Sequence, residues 1–218
     1  DAETLPTHEE IKPLPVSPYG ITKLAAEQLG MLYHKNFGVP FVSLRYFTVY
    51  GPRQRPDMAF HKFFKAVLQD EAIPVYGDGK QVRDWIYVVD HCRGIDAVLQ
   101  KGHPGEIYNI SASGEARNID VIKKVLDILG KPHSLITYVG DRPAHDRRYG
   151  LNSNKIQSEL GWKPQFSFEE GLRSTVEWYI KNQEWWKKVR GSDYQKYYQA
   201  NYENKFGSKN SKNREVNS

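Results

Sequence analysis

The segment SPYGITKLAAEQ, residues 17–28, places Tyr19 and Lys23 four positions apart near the start of a predicted helix. Residues at that spacing lie on one face of an α-helix. A neighbouring ammonium favours the phenolate over the phenol, so such a pair can supply a base near neutral pH. The same spacing joins ordinary neighbours on exposed helices, where a pair adds only about 0.2–0.5 kcal/mol. Taken alone, the pair leaves both interpretations open.

A second group of candidate residues consists of arginines that stand near glycine and aspartate. They occur in the segments VYGPRQRPD, GDGKQVRDW and VGDRPAHDRR. A planar guanidinium can bind two oxygen atoms at once, so this pattern favours capture of phosphate or carboxylate in a pocket. The net charge of +5 could instead indicate nucleic acid, but much of the excess lies in the terminal segment KFGSKNSKNREVNS. Because no basic helix or stacking ladder stands out, we predict no nucleic-acid partner.

Hydrophobic periodicity and turn residues predict the elements that position these side chains. The first helix begins after Ser17, a preferred N-cap residue, and ends near Gly38. Further helices are predicted in MAFHKFFKAVLQDE and VVDHCRGIDAVLQKG, around residues 118–129, and from the capping box SFEE through Val189. Strands are predicted in VPFVSLRYF, IPVYG, RDWIYV, EIYNIS and SLITYVG, and a turn in GDGKQ. This alternation predicts an α/β architecture with parallel strand pairing.

Composition indicates a globular chain with its own core. Its 218 residues are 39% hydrophobic, and no apolar run approaches the roughly 20 residues of a membrane span. The polar start DAETLPTHEE is unlike a signal peptide. The single cysteine, Cys92, excludes an internal disulfide and a cysteine-cluster metal site, and we interpret it as a packing residue of a helix. We therefore predict a cytoplasmic protein with no metal and no membrane partner.

Four aromatic side chains lie in the last predicted helix. We interpret them as packing residues rather than as platforms for a ligand: Trp178, Tyr179, Trp185 and Trp186. A motif typical of nucleotide-binding α/β domains is missing, because neither GxGxxG nor GxxGxxG occurs in the sequence. The segment GDGK at Gly77 lacks the third glycine and does not precede a predicted helix.

With YGITK, RYFTVYGP, IPVYGDGKQVRDWIYV and DRPAHDRRY in order, the chain resembles the extended short-chain dehydrogenase/reductase family. The resemblance is to its NAD-dependent nucleotide-sugar epimerases and dehydratases, and it covers residues 1 to about 203. It implies the C-terminal part of a doubly wound Rossmann-type parallel sheet plus a smaller α/β substrate-binding domain. It also implies that an N-terminal region carrying the glycine-rich NAD loop precedes Asp1.

The resemblance implies a division into domains and an assembly. Residues 1–57 would be the remainder of the NAD-binding Rossmann domain. Residues 58–203 would form mainly the substrate-binding domain, with segments that return to the Rossmann sheet. Residues 204–218 are predicted to form a disordered tail. The complete protein would be a homodimer that associates through the helix of Tyr19 and a neighbouring helix.

The resemblance also implies roles for individual residues. Tyr19 would be the catalytic acid/base that handles the proton of the sugar hydroxyl. Lys23 would bind the nicotinamide ribose of NAD and keep the phenolate accessible. Tyr46 and Phe47 would border the nicotinamide, unless they merely fill the core. The remaining predicted residues would contact a UDP- or dTDP-hexose: Thr48, Arg55, Tyr76, Arg83, Asn109 and Arg142.

Among the substrate residues, the two arginines that lie inside family motifs have the most specific implied role. Arg83 and Arg142 resemble the diphosphate-binding arginines of the family, with surface ion pairing as the alternative. Asn109 would make a polar contact near them, and Tyr76 would line the pocket for the base. Thr48 departs from the family, because many relatives have asparagine at this position.

The resemblance leaves two reactions open. RYFTVYGPRQRPDMAFHKF is similar to 4-epimerases that act on UDP-glucuronate, whereas RDWIYVVDH, DRPAHDRRYGLN and GSDYQKYYQANYE are similar to dTDP-glucose 4,6-dehydratases. The deciding carboxylates of dehydratases would lie in a strand before Asp1. Because Thr48 and Arg55 fall in the segment expected beside the hexose, we predict a 4-epimerase in which Arg55 holds a sugar carboxylate. Pairing of Arg55 with Asp57 is the alternative, and an inactive substrate-binding module is a further possibility for the whole chain.

Overall fold

The structure, a computed structural model, describes residues 5–141 and 146–189. Seven α-helices occur in these residues: α1 Pro18–Phe37, α2 Ala59–Leu68, α3 Val88–Lys101, α4 Asn118–Ile128, α5 Asn154–Leu160, α6 Phe168–Lys181 and α7 Gln183–Val189. The same residues contain seven strands: β1 Ser43–Arg45, β2 Thr48–Tyr50, β3 Ile73–Tyr76, β4 Val82–Tyr87, β5 Ile107–Asn109, β6 Glu115–Arg117 and β7 Ile136–Val139. No helix in the described part of the chain is both long and apolar enough to cross a membrane.

Parallel pairing dominates the described strands. β1 pairs with β5, β2 with β4 and β3 with β7, all in parallel, while β6 runs antiparallel to β4. Parallel neighbours need long crossover connections, and the connection from β2 to β4 contains helix α2. The predicted α/β class with parallel pairing is confirmed.

Helix α1 has the predicted ends. The Ser17 hydroxyl accepts a hydrogen bond from the Gly20 amide at 3.1 Å, which satisfies one donor of the first turn. Gly38 adopts a left-handed φ of 69° and donates its N–H to the carbonyl of His34, which ends the helix. No residue of α1 is buried in the described structure. Four of its large apolar side chains are more than half exposed: Ile21, Leu29, Leu32 and Phe37.

The run VPFVSLRYF forms a shorter strand than we predicted, because only Ser43–Arg45 is paired, as β1. The chain forms β1, leaves strand pairing at Tyr46 and Phe47, and resumes as β2 with a different partner. These two residues take part in neither ladder, and their side chains are partly exposed, at 45% and 39%. The break places both residues between two strands, at the carboxyl end of β1.

Two clusters of buried apolar residues form the core. One cluster joins α2, α4, α6, α7 and β3, and the other surrounds β5, α3 and α5. Strand β4 contributes to both, since Trp85 and Tyr87 face the first cluster and Ile86 the second. Side chains alternate between the two faces of a strand, which explains this division. The predicted domain boundary at residues 57 and 58 stays a prediction, and the predicted tail 204–218 lies outside the described residues.

The last helix is broken where we predicted one continuous helix. The backbone N–H and the side-chain amide of Asn182 both donate to the carbonyl of Trp178, which ends α6 before α7 begins. The break lets Trp186 donate its indole N–H to the carbonyl of Tyr179 at 3.2 Å. Tyr179 and Trp186 are buried, and Trp178 and Trp185 pack against the same cluster. The four aromatic residues therefore serve packing, as predicted.

Cys92 lies in helix α3, as predicted, but its predicted packing role is wrong. Its side chain is exposed. The buried residues of α3 are Asp90, His91, Gly94 and Val98. Cys92 lies on the opposite face of the helix from these residues, and the sequence pattern did not distinguish the two faces.

Candidate active site

The predicted catalytic pair lies in the first two turns of helix α1. Tyr19 is 72% exposed, and the ammonium of Lys23 lies 6.0 Å from the centroid of the Tyr19 ring. The hydroxyl of Thr22 donates to the backbone carbonyl of Tyr19 and leaves the phenol group uninvolved in that contact. The two side chains therefore share one accessible face, as the spacing predicted.

A tether to the sheet positions this helix. Glu27, two turns after Tyr19, accepts hydrogen bonds from Arg45 and Ser43, which are the ends of β1. Arg45 also donates to the backbone carbonyl of Glu9, so the segment before α1 is held at the same place. The tether brings the helix beside the strand whose carboxyl end leads to Tyr46.

Tyr46 and Phe47 lie at the carboxyl end of β1, beside the carboxyl end of the parallel strand β5. Arg45 and Asn109, the last residues of these two strands, are register partners. In open α/β sheets, ligands bind outside the carboxyl ends of the strands, in crevices of this kind. The location fits the predicted cofactor contact of the two aromatic side chains.

Tyr46 has a neighbour that the sequence reasoning missed. The ring of His91 meets the Tyr46 ring edge-on, with 4.3 Å between centroids. His91 is buried, and burial lowers the pKa of its imidazole. Its Nε2 finds no hydrogen-bond partner in the part of the chain that the structure describes. A histidine on the buried face of α3 could have been found only from the position of the helix against the sheet.

Phe47, the second residue between β1 and β2, belongs to a cluster of three side chains. The rings of Phe47 and Tyr149 lie 4.8 Å apart at an angle of 30°. The Arg83 guanidinium carbon lies 4.4 Å from the centroid of the same Tyr149 ring. Phe47 and Arg83 were predicted from different motifs, for cofactor and for diphosphate, and Tyr149 brings them together. Tyr149 is the last residue of DRPAHDRRY, and the sequence pattern predicted no role for it.

Arg83 is itself held in place. It is 8% exposed, and its two terminal nitrogens donate to the carbonyls of Val82 at 2.8 Å and Asp146 at 2.9 Å. The guanidinium therefore bridges β4 and the segment that follows residues 142–145. Arg142, its predicted companion in diphosphate binding, lies outside the described residues.

A buried carboxylate, that of Asp84, forms hydrogen bonds that hold the segment around Tyr149. Asp84 is 3% exposed, and it accepts from the Ser111 hydroxyl at 2.5 Å and from the Leu151 amide at 3.2 Å. Burial raises the pKa of Asp84, against the effect of these hydrogen bonds. The contacts join β4, the end of β5 and the segment that carries Tyr149.

The other predicted substrate residues occupy several places. Thr48 begins β2 and is the register partner of Trp85. Tyr76 ends β3 and is 42% exposed, next to the glycine turn. Asn109 is fully buried, and its side-chain amide donates to the carbonyls of Thr7 and Asn152. Asn109 is thus in contact with backbone rather than with an open surface.

Arg55 forms the ion pair that we considered as the alternative to sugar binding. Its Nε and Nη2 donate to the two carboxylate oxygens of Asp57 at 2.9 Å and 2.6 Å. The Arg55 side chain is 74% exposed and that of Asp57 only 22%. Partial burial acts to raise the pKa of Asp57, but hydrogen bonding to Arg55 and the positive charges of Arg55 and Lys62 together lower it. Arg55 therefore stands at the surface with an acidic partner already beside it.

Known proteins match most of this chain. The profile of the family described as GDP-mannose 4,6 dehydratase matches residues 1–175. A dTDP-glucose 4,6-dehydratase from Shigella flexneri is 40% identical over 196 residues, which are 87% of this chain and 54% of that protein. The chain thus spans about half the length of the curated relatives that it matches.

Two solved structures show how far the fold is shared. The crystal structure of dTDP-glucose 4,6-dehydratase from Bacillus anthracis in complex with NAD matches with a TM-score of 0.82 and 41% identity. The match covers 86% of this chain and 60% of that one. UDP-glucuronic acid 4-epimerase from Bacillus cereus, in complex with UDP-glucuronic acid and NAD, matches with a TM-score of 0.75 and 40% identity, over 79% and 55% of the two chains.

The fold and the site therefore define a class, the Rossmann-type α/β proteins that include nucleotide-sugar epimerases and dehydratases. The predicted fold class and the predicted resemblance are both confirmed. Within that class, this chain belongs to the family described as GDP-mannose 4,6 dehydratase.

Proposed function

We propose that the protein, as encoded, catalyses NAD-dependent 4-epimerisation of a nucleotide-diphospho hexose through a 4-keto intermediate. The observation that carries this proposal is the accessible pair of Tyr19 and Lys23 on one face of α1, beside the carboxyl end of β1. General acid/base catalysis requires a proton acceptor that a substrate hydroxyl can reach, and an exposed phenol meets this condition.

In this proposal, Tyr19 takes the proton from the hydroxyl at sugar C4 and later returns it. The positive charge of Lys23 favours the phenolate form of Tyr19 while the proton is absent. Bound NAD would supply the acceptor and donor for the hydride of sugar C4. Epimerisation results when the hydride returns to the opposite face of the 4-keto sugar.

The residues of this chain fit the nicotinamide end of the cofactor. Tyr46 and Phe47 offer partly exposed rings at the carboxyl end of β1, where a flat ring can pack. Lys23 offers an ammonium within reach of the same face of α1. Both solved structures reported above contain NAD, which supports the cofactor assignment.

The proposed substrate is a UDP- or dTDP-hexose. Arg83 and Arg142 are assigned to the diphosphate, since arginine suits phosphate oxygens geometrically. Tyr76 is assigned to the base, Asn109 to a polar contact near the arginines, and Thr48 to the hexose. Because Asn109 is buried, it would affect the substrate indirectly, by holding the backbone of Thr7 and Asn152. The epimerase relative was crystallised with UDP-glucuronic acid, which supports this substrate class.

A second candidate function is 4,6-dehydration of dTDP-glucose. It is supported by the names of two curated relatives, the dTDP-glucose 4,6-dehydratases from Shigella flexneri and Xanthomonas campestris, at 40% and 42% identity. Both reactions begin with the same oxidation at C4, so Tyr19 and Lys23 serve either. They differ in whether water is then eliminated across C5 and C6.

Product analysis distinguishes the two reactions. The protein as encoded, with any residues that precede Asp1, is incubated with NAD and separately with UDP-glucuronate, UDP-glucose and dTDP-glucose. Proton NMR of the products should show a C4 epimer from a UDP-sugar. A 4-keto-6-deoxy sugar from dTDP-glucose would instead establish the dehydratase, and no change in any sugar would refute both.

The third possibility, a substrate-binding module without catalysis, is tested with the 218 residues alone. This sequence contains no glycine-rich dinucleotide turn, so we expect no saturable NAD binding by calorimetry. Tight binding of a nucleotide sugar by these residues alone would favour the module. Saturable NAD binding would contradict our assignment of the dinucleotide cradle to a region outside them.

We further propose a homodimer in the cytoplasm. The exposed apolar side chains of α1 support association through this helix, because contiguous exposed apolar surface often marks an interface. The single cysteine agrees with a reducing compartment. Analytical ultracentrifugation of the protein as encoded, with Leu29→Glu as the interface variant, tests the dimer.

A further inference from the structure

We propose that Tyr149 is a positioning residue that orients the Arg83 guanidinium for a nucleoside diphosphate. The inference rests on the proposed function, because it concerns the same substrate site. It assigns a role to a side chain that neither motif matching nor residue type had singled out. Three sets of contacts carry it.

The backbone around Tyr149 is held firmly on both sides. The Tyr149 amide donates to the Val82 carbonyl at 3.2 Å, and the Val82 amide donates to the Arg147 carbonyl at 2.8 Å. On the other side, the Gly150 carbonyl accepts from the Thr7 amide at 2.9 Å. The Leu151 amide donates to buried Asp84. Tyr149 therefore projects from a segment that is anchored to β4 and cannot shift along it without breaking these bonds.

The Tyr149 side chain is fixed as well. Its hydroxyl donates to the carboxylate of Asp146, and one ring face packs against Phe47. The ring is also half-buried, and these contacts restrict its movement. The guanidinium of Arg83 lies against this immobilised ring at 4.4 Å.

Contact with the Tyr149 ring restricts the movement of the Arg83 guanidinium, and this restriction affects anion binding. The N–H donors of arginine lie in the guanidinium plane, and phosphate oxygens are bound along its edge. The Tyr149 ring, 4.4 Å from the guanidinium carbon, limits how far the group can swing and leaves its N–H groups unblocked. The carbonyls of Val82 and Asp146 fix the rotation of the group within that plane. Tyr149 thus restrains movement of the guanidinium out of its plane, which the carbonyls of Val82 and Asp146 do not restrain.

The test is a double-mutant cycle in the protein as encoded. Calorimetry measures the Kd for UDP, dTDP and the free nucleosides in Tyr149→Phe, Tyr149→Leu, Arg83→Ala and the double variant Arg83→Ala with Tyr149→Leu. We expect Tyr149→Leu to raise the diphosphate Kd by about threefold to tenfold, the range of a partly desolvated cation–π contact. Tyr149→Phe keeps the ring and should stay within about twofold of wild type.

Two features separate positioning from a general structural role. Nucleoside affinity should not change in Tyr149→Leu, because nucleosides have no phosphate for Arg83 to bind. In the Arg83→Ala background, Tyr149→Leu should have no further effect on diphosphate binding. Equal losses for nucleoside and diphosphate, or additive losses in the double variant, would overturn the proposal.

A measurement without ligand keeps the proposal distinct from the proposed function. In proton–nitrogen NMR spectra, the Arg83 Nε–H signal should be shifted upfield by the Tyr149 ring in wild type and in Tyr149→Phe. The shift should disappear in Tyr149→Leu. Its absence from wild type would overturn the positioning role, whereas failure of wild type to bind any nucleoside diphosphate would refute the proposed function instead.

Discussion

Glu27 of α1 and Arg45 of β1 form a bidentate salt bridge. Arg45 Nη2 donates to Glu27 Oε1 at 2.6 Å, and Arg45 Nε donates to Oε2 at 2.9 Å. The pair is largely shielded, with side-chain exposures of 18% for Arg45 and 14% for Glu27. Since α1 has no buried residue in the described structure, this pair is a principal tether between the helix of Tyr19 and the sheet.

The first prediction concerns this tether and its dependence on pH. Hydrogen bonds from Arg45 hold the pKa of Glu27 below its ordinary value of about 4.5, although desolvation opposes them. A carboxyl group with a lowered pKa contributes stability above its unfolded pKa and loses that contribution as pH falls through its folded pKa. Glu27→Gln should therefore destabilise the protein at pH 7 by roughly 1.5–3 kcal/mol, the range for hydrogen bonds to charged groups.

Urea unfolding at several pH values measures this effect. The difference between wild type and Glu27→Gln should be constant near neutrality and should shrink as the pH falls below about 4.5. Glu184→Gln is a matched control, because Glu184 also pairs with a cation but its side chain is 82% exposed. A loss in Glu27→Gln that is no larger than in the control would contradict the tether.

The second prediction concerns the phenol of Tyr19. In the protein as encoded, Tyr19→Phe should lower kcat by about 10²- to 10⁴-fold, the range for a general acid/base group. The Kd for the nucleotide sugar should change only a few-fold, because the change removes a proton acceptor and little contact surface. Tyr33→Phe is the control, since Tyr33 is half exposed on the same helix. More than about a tenth of the wild-type kcat in Tyr19→Phe would exclude the assigned role.

The third prediction separates diphosphate binding from general surface charge. Arg83→Ala and Arg142→Ala should each weaken binding of a nucleoside diphosphate by about tenfold or more, because each removes a charge-assisted contact. Arg148→Ala removes the same charge from the same region, but Arg148 pairs with Glu115 and its side chain is 48% exposed. Calorimetry should show a small effect in that control. Unchanged affinity in both Arg83→Ala and Arg142→Ala would refute the diphosphate assignment.

The fourth prediction concerns the sugar carboxylate. Arg55→Ala should lower kcat/KM for UDP-glucuronate and leave that for UDP-glucose unchanged, because only the acidic sugar can use the guanidinium. Asp57→Asn should increase the preference for UDP-glucuronate over UDP-glucose, since it removes the carboxylate that is paired with Arg55. Steady-state assays of both sugars with the three proteins decide the matter. Equal losses for both sugars in Arg55→Ala would make Arg55 a structural residue.

Local sequence determined the elements that depend on nearest neighbours. Ser17 and Gly38 mark the ends of α1 because capping needs only residues within one turn. The spacing of Tyr19 and Lys23 placed them on one face for the same reason. The capping box at Ser167 and Glu170 is likewise formed as predicted.

Contacts between distant segments decided what the sequence could not. Strand β1 pairs with β5, whereas β2, which begins just after VPFVSLRYF, pairs with β4, so the end of β1 at Arg45 depends on strands that lie far along the chain. The exposure of Cys92 depends on which face of α3 meets the sheet.

The same reason explains the contacts within the candidate site. A motif names Arg83 as a candidate anion ligand, because a guanidinium has this chemistry in any setting. Its contact with Tyr149 and the contact of that ring with Phe47 join three separate segments. The pairing of Arg55 with Asp57 was foreseen, since the two lie two positions apart. Residue type and spacing thus determined which groups can act, and packing between distant segments decided which of them meet.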